Sequence, residues 1–144
     1  MELDEIYRQA ILEHARHPHN CDAIPHADVQ VEMVNKLCGD ELELTMKLEE
    51  DQIIEAAVRA RGCAIVIASS SLMTDYIRGK SPDKARWAGT RFMALLDGEK
   101  QPKDVDLEPL FPLLNLKDHR SRHRCATLPW EALEEACRRL AEKS

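Results

Sequence analysis

The sequence predicts an α+β fold in which a three-stranded antiparallel sheet packs against helices. Two observations carry this prediction. The apolar spacing changes from a helical period to a period of two near Val29 and back to a helical one after Gly62. The helical stretches also bring their own start and stop residues, Ser81-Pro82, Gly79 and Gly98.

In chain order, Leu3, Ile6, Tyr7, Ala10, Ile11 and His14 recur at the spacing of one helical face, and His17-Pro18-His19-Asn20 ends that helix near His17. Val29, Val31 and Met33 alternate with polar residues, as do Leu42, Leu44, Met46 and Leu48, so both stretches read as half-buried strands. The turn Glu50-Asp51-Gln52 leads into a third strand with Ile54, Ala56, Val58 and Ala60 on one side. A meander with one wet face needs helices on its dry face.

After Gly62, the run Cys63 to Arg78 reads as a buried helix closed by Gly79. Ser81 caps the next helix, which turns Ala85, Ala88, Phe92, Leu95 and Leu96 inward and stops at Gly98. Pro109 and Pro112 break the apolar stretch Leu107 to Leu116. Thr127 is expected to cap the final helix, which carries Leu133, Ala136, Cys137 and Leu140.

The 144 residues suit one domain, 1–144, with no internal repeat, low-complexity tract or dividing linker. A net charge of −6, from 26 acidic and 20 basic residues, argues against nucleic acid as a partner, and 4% aromatics leaves little for base stacking. No stretch approaches the ~20 apolar residues of a membrane span, and the acidic, amphipathic start is unlike a signal peptide, so a cytoplasmic location is expected. Five cysteines, an odd number, then read as ligands, nucleophiles or core residues and not as disulfides.

Three of these cysteines and one aspartate, Cys38, Asp40, Cys63 and Cys125, fall at the edges of expected elements and together offer the donors of a tetrahedral zinc site. Cys38-Gly39-Asp40 lies between two strands, where the alternative is an ordinary turn. Cys63 opens a helix, where exposed N–H groups favour thiolate; the alternative is a small core residue. Cys125 lies among Arg120, Arg122, His123 and Arg124, a positive setting that also favours thiolate, against the alternative of a solvated basic loop. Cys137 shares an apolar helical stripe and Cys21 reads as a surface thiol. Ser69-Ser70-Ser71 sits inside a helix without elbow glycines, and both nucleotide-binding glycine motifs are absent. The six histidines show no i, i+4 helical pair and no ligand spacing near the cysteines.

Three ordered segments, Asn35-Lys36-Leu37-Cys38-Gly39-Asp40, Gly62-Cys63-Ala64-Ile65 with Ala68 to Thr74, and Arg122-His123-Arg124-Cys125-Ala126-Thr127-Leu128 with Trp130, resemble the SufU/IscU/NifU-N family of iron–sulfur cluster assembly proteins. The resemblance covers nearly the whole chain. It implies a SufE/IscU-like α+β sandwich. IscU-type scaffolds carry a histidine immediately before the third cysteine, where this chain has Arg124, and its interval from Cys63 to Cys125 is about one helix longer. Both features look like the SufU branch.

That branch implies zinc held by Cys38, Asp40, Cys63 and Cys125, with Cys38 accepting persulfide sulfur from a SufS-type cysteine desulfurase and passing it toward a SufBCD-like assembly complex. The resemblance also implies that a histidine of the desulfurase replaces that cysteine on the zinc. Arg122 matches a family arginine that pairs with Asp40 or stabilises the persulfide. Lys36 replaces the usual proline, which loosens the Cys38 loop, and Val66 replaces a common serine. His123 beside Arg124 leaves an imidazole able to compete for the metal. Two alternatives accompany this expectation: a scaffold on which a 2Fe-2S cluster is assembled on the same cysteines, and a non-catalytic module stapled by structural zinc.

Overall fold

The computed structural model describes residues 2–143. Helix α1 (Leu3–Arg16) is followed by strands β1 (Val29–Asn35), β2 (Asp40–Glu49) and β3 (Gln52–Arg61), then helices α2 (Ala64–Ile77) and α3 (Pro82–Leu96). A 3-10 helix over Glu108–Leu116 and a 3-10 turn at Arg120–Arg122 lead into α4 (His123–Lys143). The strands form one antiparallel meander in the order β1-β2-β3, as the alternation predicts.

Val31, Leu42, Leu44, Met46, Ile53 and Val58 line the inner face of the sheet. Helix α4 covers β1 and α2 covers β3, while α1 and α3 lie behind them against α2 and α4. Helix α2 is buried almost all round, so its serines face protein: Ser69 Oγ donates to the Ala126 carbonyl (2.6 Å) and Ser70 Oγ to that of Val66 (2.7 Å). Satisfied in this way, small hydroxyls pack a helix closely without leaving a buried donor unpaired. The caps follow the sequence: Ser81 Oγ accepts from the Lys84 N–H, Pro82 opens α3, and Gly79 takes a left-handed φ of +86° after α2.

The structure corrects three readings. Ile53, not Ile54, is the buried residue at the start of β3, because a bulge shifts the register: Lys47 pairs with Glu55 but Leu48 with Ile53. The turn is correspondingly shorter, Glu50–Asp51, with Gln52 already in the strand. On α1 the apolar face is only partly covered: Ile11 is buried, whereas Leu3 and Ile6 are exposed.

The third correction concerns the last helix, which starts at His123 and not at a Thr127 cap. Its first turn continues from the preceding 3-10 turn, and Pro129 is accommodated two turns in. Proline removes one intrahelical donor, the bond to the Cys125 carbonyl, while Ser69 ties the neighbouring Ala126 carbonyl from outside. Cys125 therefore belongs to a buried helical turn and not to a solvated loop.

Candidate metal centre

The antiparallel ladder brings the site together. Asn35 pairs with Asp40 at the β1–β2 hairpin, and Glu41 pairs with Arg61 at the end of β3. The residues just beyond Arg61, Gly62 and Cys63, therefore meet Asp40 at the same end of the sheet. Docking of α4 over β1 adds Cys125.

Asp40 is 1% exposed and works in two directions. Its Oδ1 accepts from the Cys63 N–H (3.0 Å), capping α2 where Cys63 offers no side-chain cap. Its Oδ2 lies 3.9 Å from the Cys63 Sγ. A carboxylate at a helix N-terminus is electrostatically favoured, which helps to offset the cost of burying this one. Gly62 makes the approach possible: its φ is +151°, and a Cβ there would stand 2.1 Å from Asp40 Oδ1.

Cys38 sits on the hairpin loop, exposed, between Leu37, which is 95% exposed, and Gly39 at φ +73°. Asn35 shapes this loop from below. Its Oδ1 accepts from the Leu37 N–H (3.2 Å), its backbone carbonyl from the N–H groups of Cys38 and Gly39, and its Nδ2 donates to Cys38 Sγ (3.2 Å). Sequence reasoning gave Asn35 no role, although an Asx residue two positions before a turn N–H is a recognisable signal.

Sulfur or oxygen atoms of Cys38, Asp40 and Cys125 lie within 4.8 Å of one another, and Cys63 joins through its contacts with Asp40 and Cys125. A tetrahedral ion with bonds of about 2.3 Å to sulfur sets its donors roughly 3.3–3.8 Å apart, so the four donors must draw together to close around one ion. Three thiols and one carboxylate are the soft and borderline donors such an ion takes.

Charge leads to the same conclusion. Burial, then hydrogen bonds with Cys63 and Asp40, push the Cys125 thiol far above the ordinary thiol range. The surrounding arginines do not lower it as the sequence suggested: Arg124 pairs with Glu131 (2.8 Å), and Arg122 is exposed. A divalent cation inside the cluster is what would make this buried sulfur a thiolate.

His123 is also turned away, its Nε2 set 2.9 Å from the carbonyls of Leu116 and Lys117. Among the described residues no imidazole joins the cysteine cluster. Cys21 is exposed, and Cys137 is buried with its Sγ donating to the Pro82 carbonyl.

Comparison with known proteins agrees with this picture. Residues 6–105 match the family model for the NifU-like N terminal domain. The zinc-dependent sulfurtransferase SufU of Bacillus subtilis is 36% identical over 132 residues, 92% of this chain and 89% of that protein. The iron–sulfur cluster assembly scaffold protein IscU of Streptococcus pyogenes is 34% identical over 139 residues, 96% and 87% of the two chains. A crystal structure from Fervidobacterium islandicum, described as a cluster assembly scaffold protein for the SUF system, superposes with a TM-score of 0.85 at 28% identity, covering 94% of this chain and 99% of the other. On the family match, the two relatives and the shared fold, this chain belongs to the NifU-like N-terminal domain family of the SufU and IscU proteins.

Proposed function

We propose that this protein is a zinc-dependent sulfurtransferase of iron–sulfur cluster assembly, which accepts persulfide sulfur from a SufS-type cysteine desulfurase and delivers it toward a SufBCD-like assembly complex. In this reading Cys38, Asp40, Cys63 and Cys125 hold the zinc, whose charge keeps their thiols ionised at neutral pH. The observation that carries the reading is the contrast within the cluster: Cys38 is exposed on a glycine-hinged loop, whereas Cys125 is buried in a helix and Cys63 is half-buried at a helix start. Of the three cysteines, Cys38 is the exposed one. The name of the Bacillus subtilis relative supports the same activity.

The transfer itself balances without an oxidant. The Cys38 thiolate attacks the outer sulfur of the donor persulfide, the donor's S–S bond breaks, and the donor cysteine leaves as a thiolate. One S–S bond replaces another, now on Cys38, and because Cys38 attacks already ionised no proton has to leave in this step. Leu37 gives the docking partner an apolar contact beside the nucleophile. Arg122, exposed on the turn before Cys125, offsets the charge of the new persulfide in this reading. The work belongs in the cytosol. Among the described residues no helix is long and apolar enough to cross a membrane.

The test is alanine and sulfide production by the cognate desulfurase with and without the zinc-loaded protein. Strong stimulation is expected, and its loss in Cys38→Ala with the fold retained. An absence of stimulation by the wild type overturns the proposal, and reconstitution of a 2Fe-2S cluster with iron and sulfide under anaerobic conditions becomes the measurement to make.

A further inference from the structure

A second set of donors meets at the other end of α2. His14 in the last turn of α1, His19 in the following loop and Asp75 near the end of α2 place one ring nitrogen each and one carboxylate oxygen within 4.8 Å of one another. The imidazole centroids are 4.8 Å apart and tilted by 53°, and His19 Nδ1 lies 2.5 Å from Asp75 Oδ2. Asp75 is twelve residues from Cys63, about 18 Å along a helix. The two clusters are distinct.

We propose that His14, His19 and Asp75 form a second metal site, for a divalent first-row transition ion. Two imidazoles and one carboxylate suit zinc, nickel, cobalt or iron; magnesium and calcium favour oxygen donors throughout. The donors are held from behind, as ligands usually are. His14 Nδ1 is 2.7 Å from Ser71 Oγ, which leaves the other ring nitrogen to coordinate. The same Ser71 Oγ accepts from the His19 backbone N–H (2.8 Å). Asn20 Nδ2 donates to Asp75 Oδ1 (3.0 Å), leaving Oδ2 toward His19. Asn20 is itself fixed, because its carbonyl accepts from the Val58 N–H of β3 (2.9 Å).

The cluster opens on a groove of about 710 Å³, also lined by Tyr76, Lys80 and Trp87. That leaves room for water or a small ligand to complete the coordination shell. Two of the cations lining this groove are engaged elsewhere. Lys80 Nζ donates to the Tyr76 carbonyl (2.8 Å) and sits over the Tyr76 ring, and Arg78 is directed at Asn20 Oδ1. Without a metal, His19 Nδ1 and Asp75 Oδ2 lie within hydrogen-bonding distance of each other, and an ion would come between them.

The experiment uses the full chain with one equivalent of zinc already added, followed by cobalt(II) in equilibrium dialysis with absorption spectra. A further equivalent of cobalt should bind with weak visible bands and no intense near-ultraviolet sulfur-to-cobalt charge transfer. His19→Ala and Asp75→Asn should each weaken that uptake tenfold or more, with circular dichroism unchanged. His26→Ala, exposed elsewhere, should leave it as it is. No second equivalent, or uptake indifferent to His19→Ala and Asp75→Asn, overturns the site. If the cysteine centre binds no metal, cobalt added to metal-free protein shows no charge-transfer band, which leaves the visible bands of the second site as a separate readout.

Discussion

A methyl group at position 62 meets two obstacles, while one at position 39 meets only one. Gly39 has open space around its missing Cβ, so Gly39→Ala costs only the left-handed backbone, about 1 kcal/mol. Gly62→Ala faces an unfavourable φ and a Cβ placed 2.1 Å from the Asp40 carboxylate. The expected loss is about 1–3 kcal/mol from the backbone alone, and Asp40 must also leave its place beside Cys63. Denaturant unfolding should rank the two variants in that order. Metal content should fall in Gly62→Ala and hold in Gly39→Ala; equal zinc in both variants would show that Asp40 is free to move. Such residues make the cluster legible only in part. Cys38, Asp40, Cys63 and Cys125 stand out by type, but Asn35 reads as an ordinary turn residue until its side chain is found to bond both the loop backbone and a sulfur.

At the level of elements, the β2–β3 hairpin carries a removable flaw. Glu50 and Asp51 both adopt positive φ, +50° and +63°, in a two-residue turn that favours Asn-Gly. The double change Glu50→Asn with Asp51→Gly should raise stability by roughly 0.5–1 kcal/mol, read as a higher Tm. An unchanged or lower Tm would mean that these side chains are held by more than the turn. Strand alternation showed in the sequence that a hairpin exists here, but it could not locate the bulge, because Ile53 and Ile54 are both apolar and either fits the pattern. The start of α4 was hidden for a different reason. Thr127 followed by Pro129 imitates a helix beginning, whereas packing of α2 and α4 extends the helix back to His123 and carries Cys125 into the interior. Cap residues report local preference; tertiary contacts decided this boundary.

Over the whole molecule, the buried thiol of Cys137 couples stability to alkaline pH. Burial outweighs the nearby Arg86 and pushes this thiol up to about 11, against 9.0 for the free group. Below pH 9 both folded and unfolded chains keep the proton. Between 9 and 11 the unfolded chain loses it first, so stability falls as pH rises through that window. Cys137→Ala should flatten this part of the stability–pH curve relative to the wild type, even though its absolute stability is lower for loss of a packed sulfur. An unchanged slope would assign the alkaline loss to other groups. The core around this helix has one more consequence, through light. Trp130 is buried on α4 between Phe92 and Tyr76, its ring against Gly89, whereas the other indole, Trp87, is half-exposed on α3. The chain thus contains one shielded and one wet fluorophore, and the shielded one sits five residues beyond Cys125, on the helix that closes the cysteine cluster, so its emission can follow the seating of α4 without any added label.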